Sequence, residues 1–241
     1  MASLSCRAYV LHSRPYRETS AIIDFFTAEY GRLSAVAKGI RAARSERKSL
    51  LQPLHQLQIE LAGRSALKQL LKVESVKSPV SLPSRHLYAM FYVNELLVRA
   101  LAQSDPADDI FAAYEVLLQQ LSTQQQELLN VEPILREFEF ILLQSMGYFP
   151  DLSTDSSTGD AVSADQLYGF DVSQGVISGQ HSAYQFHGRD LLAVSQSHWQ
   201  PESLRTAKQL SRLLLPQLIG NKPLKSRELF VSLKVSTVKD D

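Results

Sequence analysis

Cysteine is almost absent from this chain: Cys6 is the only one in 241 residues. No disulfide can form within one copy, and no cysteine-based zinc site can be assembled from it. A lone cysteine of this kind reads as a small buried residue, not a nucleophile. Long uncharged apolar runs are also missing, so no membrane-spanning helix is expected. The opening MASLSCRAYV lacks the apolar core of a secretory signal. Together these absences point to a cytoplasmic protein without a redox role. Catalytic signatures are missing too. No glycine-rich cradle ends in Gly-Lys-Ser/Thr, and there is no GxGxxG, HExxH or GxSxG. His12 and Ser13 are sequence neighbours, and adjacent strand residues point apart, so they make no nucleophile–base pair. Asp24 and Glu29 flank a turn with no supporting group for hydrolysis. Neither an enzymatic activity nor a cofactor is expected.

Net charge is lacking as well, with 25 Lys/Arg against 25 Asp/Glu, but the balance hides a segregation. Residues 1–79 hold 13 basic and 6 acidic side chains, residues 80–171 hold 3 and 14, and residues 172–241 hold 9 and 5. A basic first segment beside an acidic middle one suggests distinct surfaces for distinct partners, although internal pairing would give the same pattern.

What is present begins with short strands. Residues 7–12 alternate weakly and stop before Ser13-Arg14-Pro15, where proline suggests a turn. Residues 20–27, SAIIDFFT, are β-branched and aromatic, and residues 32–37 form a third run after Gly31. In residues 55–61, Leu57, Ile59 and Leu61 alternate with Gln56, Gln58 and Glu60, and residues 67–76 supply a fifth run. Five short strands gain a buried face by curling into a barrel. The interruption at 38–53, between the third and fourth, fits an OB-fold; strand count alone also allows an SH3-like barrel. Pro79 and Pro83 mark the change from period 2 to period 3.6, giving helices over 84–102, 110–121, 131–146 and 203–218. The first three suffice for a helical core of their own. Residues 150–182 are polar and glycine-punctuated, with strand fragments at 167–172 and 175–178. His181 lies in this region and His187 just beyond it, but without cysteines they offer little support for a metal site. The fold class is therefore α+β: a small five-stranded barrel, OB-like or SH3-like, at 1–79, then a helical domain at 80–241 that includes the irregular subdomain 150–182.

The basic residues cluster around the first three strands. Arg7, Arg14 and Arg17 lie on or beside the first two, and Lys38, Arg41, Arg44, Arg47 and Lys48 follow the third. Converging on one barrel face, they would make sequence-independent, salt-sensitive contacts with phosphates. Tyr16 and Tyr30 sit near turns and are candidates for stacking on bases, against the plainer reading of barrel packing.

The sequence also resembles a known family. Tyr9-Val10-Leu11-His12-Ser13-Arg14-Pro15, Glu18-Thr19-Ser20, Gly31-Arg32, Val36-Ala37-Lys38-Gly39 and Leu51-Gln52-Pro53 are similar to the start of the bacterial RecO recombination mediators. Tyr92-Val93-Asn94-Glu95-Leu96-Leu97, Arg136-Glu137-Phe138-Glu139 and the closing run from Gly220 to Phe230 continue the likeness in order, closest to the gamma-proteobacterial branch. The resemblance implies an OB domain followed by a helical domain, and binding to single- and double-stranded DNA with annealing of complementary strands. It also implies partnership with RecR and with the tail of single-stranded DNA-binding protein, and help in loading RecA, without nucleotide hydrolysis. Some members hold zinc with four cysteines in the middle subdomain. This chain has none there, so no metal is expected and hydrogen bonds and packing should hold residues 150–182 together. The acidic, apolar-ended tail calls for a basic rim beside an apolar pocket; Arg136 with Arg205, Lys208 and Arg212 are the candidates. A barrel that binds protein instead of DNA is the main alternative.

Overall fold

The structure is a computed structural model in which residues 3–41, 47–123, 130–179 and 182–229 are described. Five strands, β1 (Ser3–Tyr16), β2 (Ser20–Thr27), β3 (Gly31–Ala37), β4 (Gln56–Ala62) and β5 (Leu67–Ser75), close a barrel in the order β1-β2-β3-β5-β4. The parallel pairing of Ser34–Val36 with Leu67–Gln69 completes the closure between β3 and β5. A short helix, α1 (Arg47–Leu50), lies in the connection between β3 and β4. This is the OB-fold arrangement. Alternate positions fill the interior: Val10, Ile23, Phe25, Leu57 and Ile59 are at most 1% exposed. Each such side chain contributes about 1.5–3 kcal/mol on burial.

Strand β1 departs from the sequence reading in two ways. It does not stop before Pro15 but continues to Tyr16, and the turn falls at residues 17–19. Past Tyr9, β1 pairs with β2 alone, so Pro15 lies in a stretch with one open edge, the position where a strand accepts proline. The register also slips between Val10 and His12, leaving Leu11 as a bulge. Val10 points into the barrel, and without the bulge His12, Arg14 and Tyr16 would follow it inward. With it they lie on the outer face, opposite Asp24, Ile22 and Ser20.

By compactness the chain forms two units, Met1–Leu129 with Pro223–Asp241, and Asn130–Lys222. Helices α2 (Ser84–Ala100) and α3 (Asp108–Thr123) fall in the unit of the barrel and α4 (Glu132–Ser145) in the other. Aromatic packing explains the association: the rings of Tyr9 and Phe26 lie 5.0–6.0 Å from those of Phe111 and Tyr114. The buried Tyr114 hydroxyl donates to Asn94 Oδ1 at 2.9 Å, and Asn94 Nδ2 reaches the Val10 carbonyl at 3.4 Å. The α2–α3 connection runs along β3, with Ser104 N donating to Arg32 O and Arg32 Nε to Leu101 O, both at 2.9 Å. Gly31 is required at this crossing, because a Cβ there would lie 1.7 Å from the Asp105 carbonyl oxygen. The returning segment docks on α2: Leu224 is buried, while Lys225 N, Ser226 N and Ser226 Oγ donate to the Glu95 carboxylate at 2.7–3.0 Å.

The second unit combines α4, the sheet β7-β6-β8 of β6 (Leu167–Asp171), β7 (Gly175–Ile177) and β8 (Gln185–His187), and helices α5 (Gly188–Ser195) and α6 (Pro201–Ile219). Three Asp-x-Ser turns organise its irregular part. Asp151, Asp155 and Asp171 each accept hydrogen bonds from the amide and hydroxyl of the serine two residues on, at 2.5–2.8 Å. Asp155 goes further, since Ser178 Oγ on the far side of the β6–β7 hairpin also donates to its carboxylate. Asp155 is 3% exposed. Burial opposes its ionisation, but the hydrogen bonds from Ser157 and Ser178 outweigh that and pull its pKa down to about 2.

Candidate nucleic-acid interface

The outer face of β1, β2 and β3 is divided into two regions. One half is covered by α3 and the α2–α3 connection. At its boundary sits Asp24, 2% exposed, which accepts from Ser34 Oγ and lies 3.8 Å from both Arg32 Nη1 and His12 Nδ1. Burial alone would raise its pKa; hydrogen bonds from His12 and Ser34, with the charges of Arg14 and Arg32, hold it below the usual carboxylate range.

The other half is open. Tyr16, Arg17, Val36, Lys38, Ala62, Gly63, Leu67, Lys68 and Gln69 line a groove of about 310 Å³ with three cations and no carboxylate. It crosses β1, β3 and β5 because the bulge turns Tyr16 outward and the parallel β3–β5 pairing sets Val36 beside Gln69. Arg17 has a left-handed φ of 53°, and its guanidinium lies 5.2 Å from the centre of the Tyr16 ring. Arg41 braces that turn: its amide donates to Thr19 O at 2.9 Å, and Nη1 donates to the Arg17 and Glu18 carbonyls at 3.3 and 3.4 Å.

The eight basic residues picked from sequence are thus not all gathered in one place. Arg17 and Lys38 share the groove with Tyr16. Arg14 is exposed on the same outer face. Arg41 and Lys48 line a second cleft, of about 260 Å³, at the barrel end beside Ile40 and Leu51, and Arg47 is exposed on α1. Arg7 lies elsewhere, 5.9 Å from the Phe111 ring, in a cleft with Lys77 and Glu115. Arg44 falls outside the described residues. Lys68 was missed from sequence, because its place in the groove depends on the parallel closure of β5 against β3. Tyr30 is 39% exposed at the β2–β3 turn and does not line the groove.

In the second unit the four remaining candidates also separate. Arg136 donates to Glu139 at 2.8 Å, and the two side chains are only 12% and 0% exposed. Arg205, Lys208 and Arg212 are exposed along α6; Lys208 approaches Glu132 at 3.0 Å and Arg205 approaches Glu202 at 3.5 Å. Among the described residues no helix is long and apolar enough to cross a membrane.

Comparison with known proteins agrees with this architecture. The family model described as "Recombination protein O N terminal" matches residues 1–79, and "Recombination protein O C terminal" matches residues 84–228. The chain is similar to the DNA repair protein RecO of Alteromonas mediterranea, 44% identical over 228 residues covering 93% of this chain and 96% of the relative. It is 42% identical to that of Pseudoalteromonas atlantica over 237 residues, 95% of each chain. Against that of Haemophilus influenzae it is 42% identical over 226 residues, 93% of this chain and 94% of the relative.

Proposed function

The chain belongs to the RecO family of DNA repair proteins, and on that premise we propose that it is a recombination mediator whose barrel binds DNA directly. The observation that carries this reading is the open groove, where Arg17, Lys38 and Lys68 surround Tyr16 without any carboxylate among the lining residues. Such a surface displaces counterions from a phosphate backbone and tolerates any sequence. The same displacement lowers the repulsion between two strands, which is what annealing requires. Arg14, Arg41, Arg47 and Lys48 extend the basic surface around the barrel end, with Arg44 in the same segment. Arg7 contributes from its separate cleft.

The protein binds single- and double-stranded DNA, anneals complementary strands and, together with RecR, helps RecA load onto strands coated by single-stranded DNA-binding protein. It acts in the cytoplasm at the nucleoid, without hydrolysing a nucleotide and without a cofactor. The acidic tail of the coating protein docks on α6, where Arg205, Lys208 and Arg212 stand at spacings of three and four; Arg136 joins them only by loosening its pairing with Glu139. Annealing of complementary strands precoated with the binding protein, with no ATP present, tests the reading. Acceleration that falls steeply with salt is expected. Absence of salt-sensitive binding to a poly-dT strand would favour a protein-binding barrel instead.

A further inference from the structure

The groove has a feature that phosphate contact does not need. Part of its lining is apolar, Val36, Ala62 and Leu67, and Leu67 is left 38% exposed. Cations alone suffice for a backbone track; an apolar lining contributes only when something apolar covers it. The cavity, about 310 Å³, stands at the small end of ligand pockets, about 300–1,000 Å³. Gln69 at its side carries both a donor and an acceptor, so its amide can meet the edge of any base.

We infer that this groove seats one unpaired nucleobase, with Lys38 and Lys68 on the flanking phosphates, so that it engages single strands in preference to intact duplex. The inference rests on the DNA-binding reading and specifies its ligand. In a duplex each base is stacked on both faces and paired at its edge, and only the rim cations meet it. In a single strand the base is free to cover Val36 and Leu67 while its phosphates reach the rim. The guanidinium over Tyr16 forms one wall, and the brace from Arg41 to the Arg17 and Glu18 carbonyls fixes that wall in place.

The test compares a short dT strand, a strand of the same length with abasic sugars, and a blunt duplex, by fluorescence anisotropy over a range of salt. The unmodified protein should bind the abasic strand about tenfold more weakly than dT, the loss expected from one base contact. Val36→Phe, which adds bulk to the apolar lining, should remove that difference and leave duplex affinity within about twofold. Lys68→Gln should reduce the salt slope for dT by about one. Equal affinity of the unmodified protein for dT and abasic strands would overturn the inference while leaving DNA binding intact, and that comparison does not depend on any variant folding. Absence of binding to all three nucleic acids would bring down the DNA-binding reading itself.

Discussion

Replacing Asp155 with alanine is expected to open the β6–β7 region while leaving the barrel unchanged. The carboxylate accepts from Ser157 N at 2.8 Å, from Ser157 Oγ at 2.6 Å and from Ser178 Oγ, and it is the charged centre of the contacts that tie the 150–160 segment to the end of β7. Hydrogen bonds to a charged acceptor contribute about 1.5–3 kcal/mol each and do not add fully within one network. A loss of about 3 kcal/mol therefore corresponds to about a hundredfold rise in local opening. Two amides report it: Ser156 N donates to Val176 O at 2.7 Å, and Val162 N to Ser153 O at 2.8 Å. Hydrogen exchange at both should accelerate about a hundredfold, with the amides of Ile23 and Phe25 in the barrel unaffected. The acid response supplies a second check. The folded-state pKa of about 2 lies below the unfolded value of 3.8, so the stabilisation is complete above pH 4 and is lost as pH falls toward 2. The alanine variant should lack this portion of the acid transition, followed by Trp199 fluorescence. Protection at Ser156 and Val162 within threefold of the unsubstituted protein would refute this account of the subdomain.

Other consequences are simpler to measure. Tyr114→Phe leaves the buried Asn94 Oδ1 without its donor and should lower stability by about 1–3 kcal/mol in urea unfolding. Glu95→Gln should loosen the returning segment at Lys225 and Ser226, seen as faster proteolysis near Lys222–Lys225 with little change in the barrel melt. Burial opposes ionisation of Glu95, but the Ser226 and Lys225 donors and the Arg99 charge hold its pKa low; this anchorage is therefore present at neutral pH and lost on acidification through its folded-state pKa. Charge reversal at Arg17 and Lys38 together should weaken poly-dT binding at least tenfold and lower the salt slope by about two, whereas an unchanged slope would remove both from the phosphate track.

Much of the barrel was legible because its strands obey alternation. The bounds expected for β2 coincide with those found, and Leu57, Ile59 and Leu61 do face the interior. Features that depend on partners were not legible. The bulge at Leu11 shows only against β2, and Pro15 is tolerated in β1 only because β4 has ended. Lys68 entered the groove through a pairing with a strand some thirty residues earlier. The helices were placed well, but α2 and α3 carry aromatic residues that match Tyr9 and Phe26, a complementarity invisible in the periodicity of either segment. Arg136 stood as a candidate for the acidic tail beside the plainer reading of pairing with nearby acids, and nothing in the sequence showed that Glu139, three residues on, would be the wholly enclosed partner. The short α5 and β8 sit beside polar, glycine-containing sequence whose pattern announces neither.

The single extra residue at Leu11 gives β1 one residue of slack. Laid into the ladder as an ordinary strand residue, Leu11 would turn Arg14 toward Ala21 and put Ser13 and Pro15 outside; set aside as a bulge, it leaves Arg14 and Tyr16 outward. Deleting Leu11 would therefore remove the bulge and keep the outward set, with His12 following Val10 in plain alternation. Losing Ser13 instead would be absorbed in the same way, by Leu11 entering the ladder, whereas adding one residue would need a second bulge to hold Arg14 and Tyr16 outside.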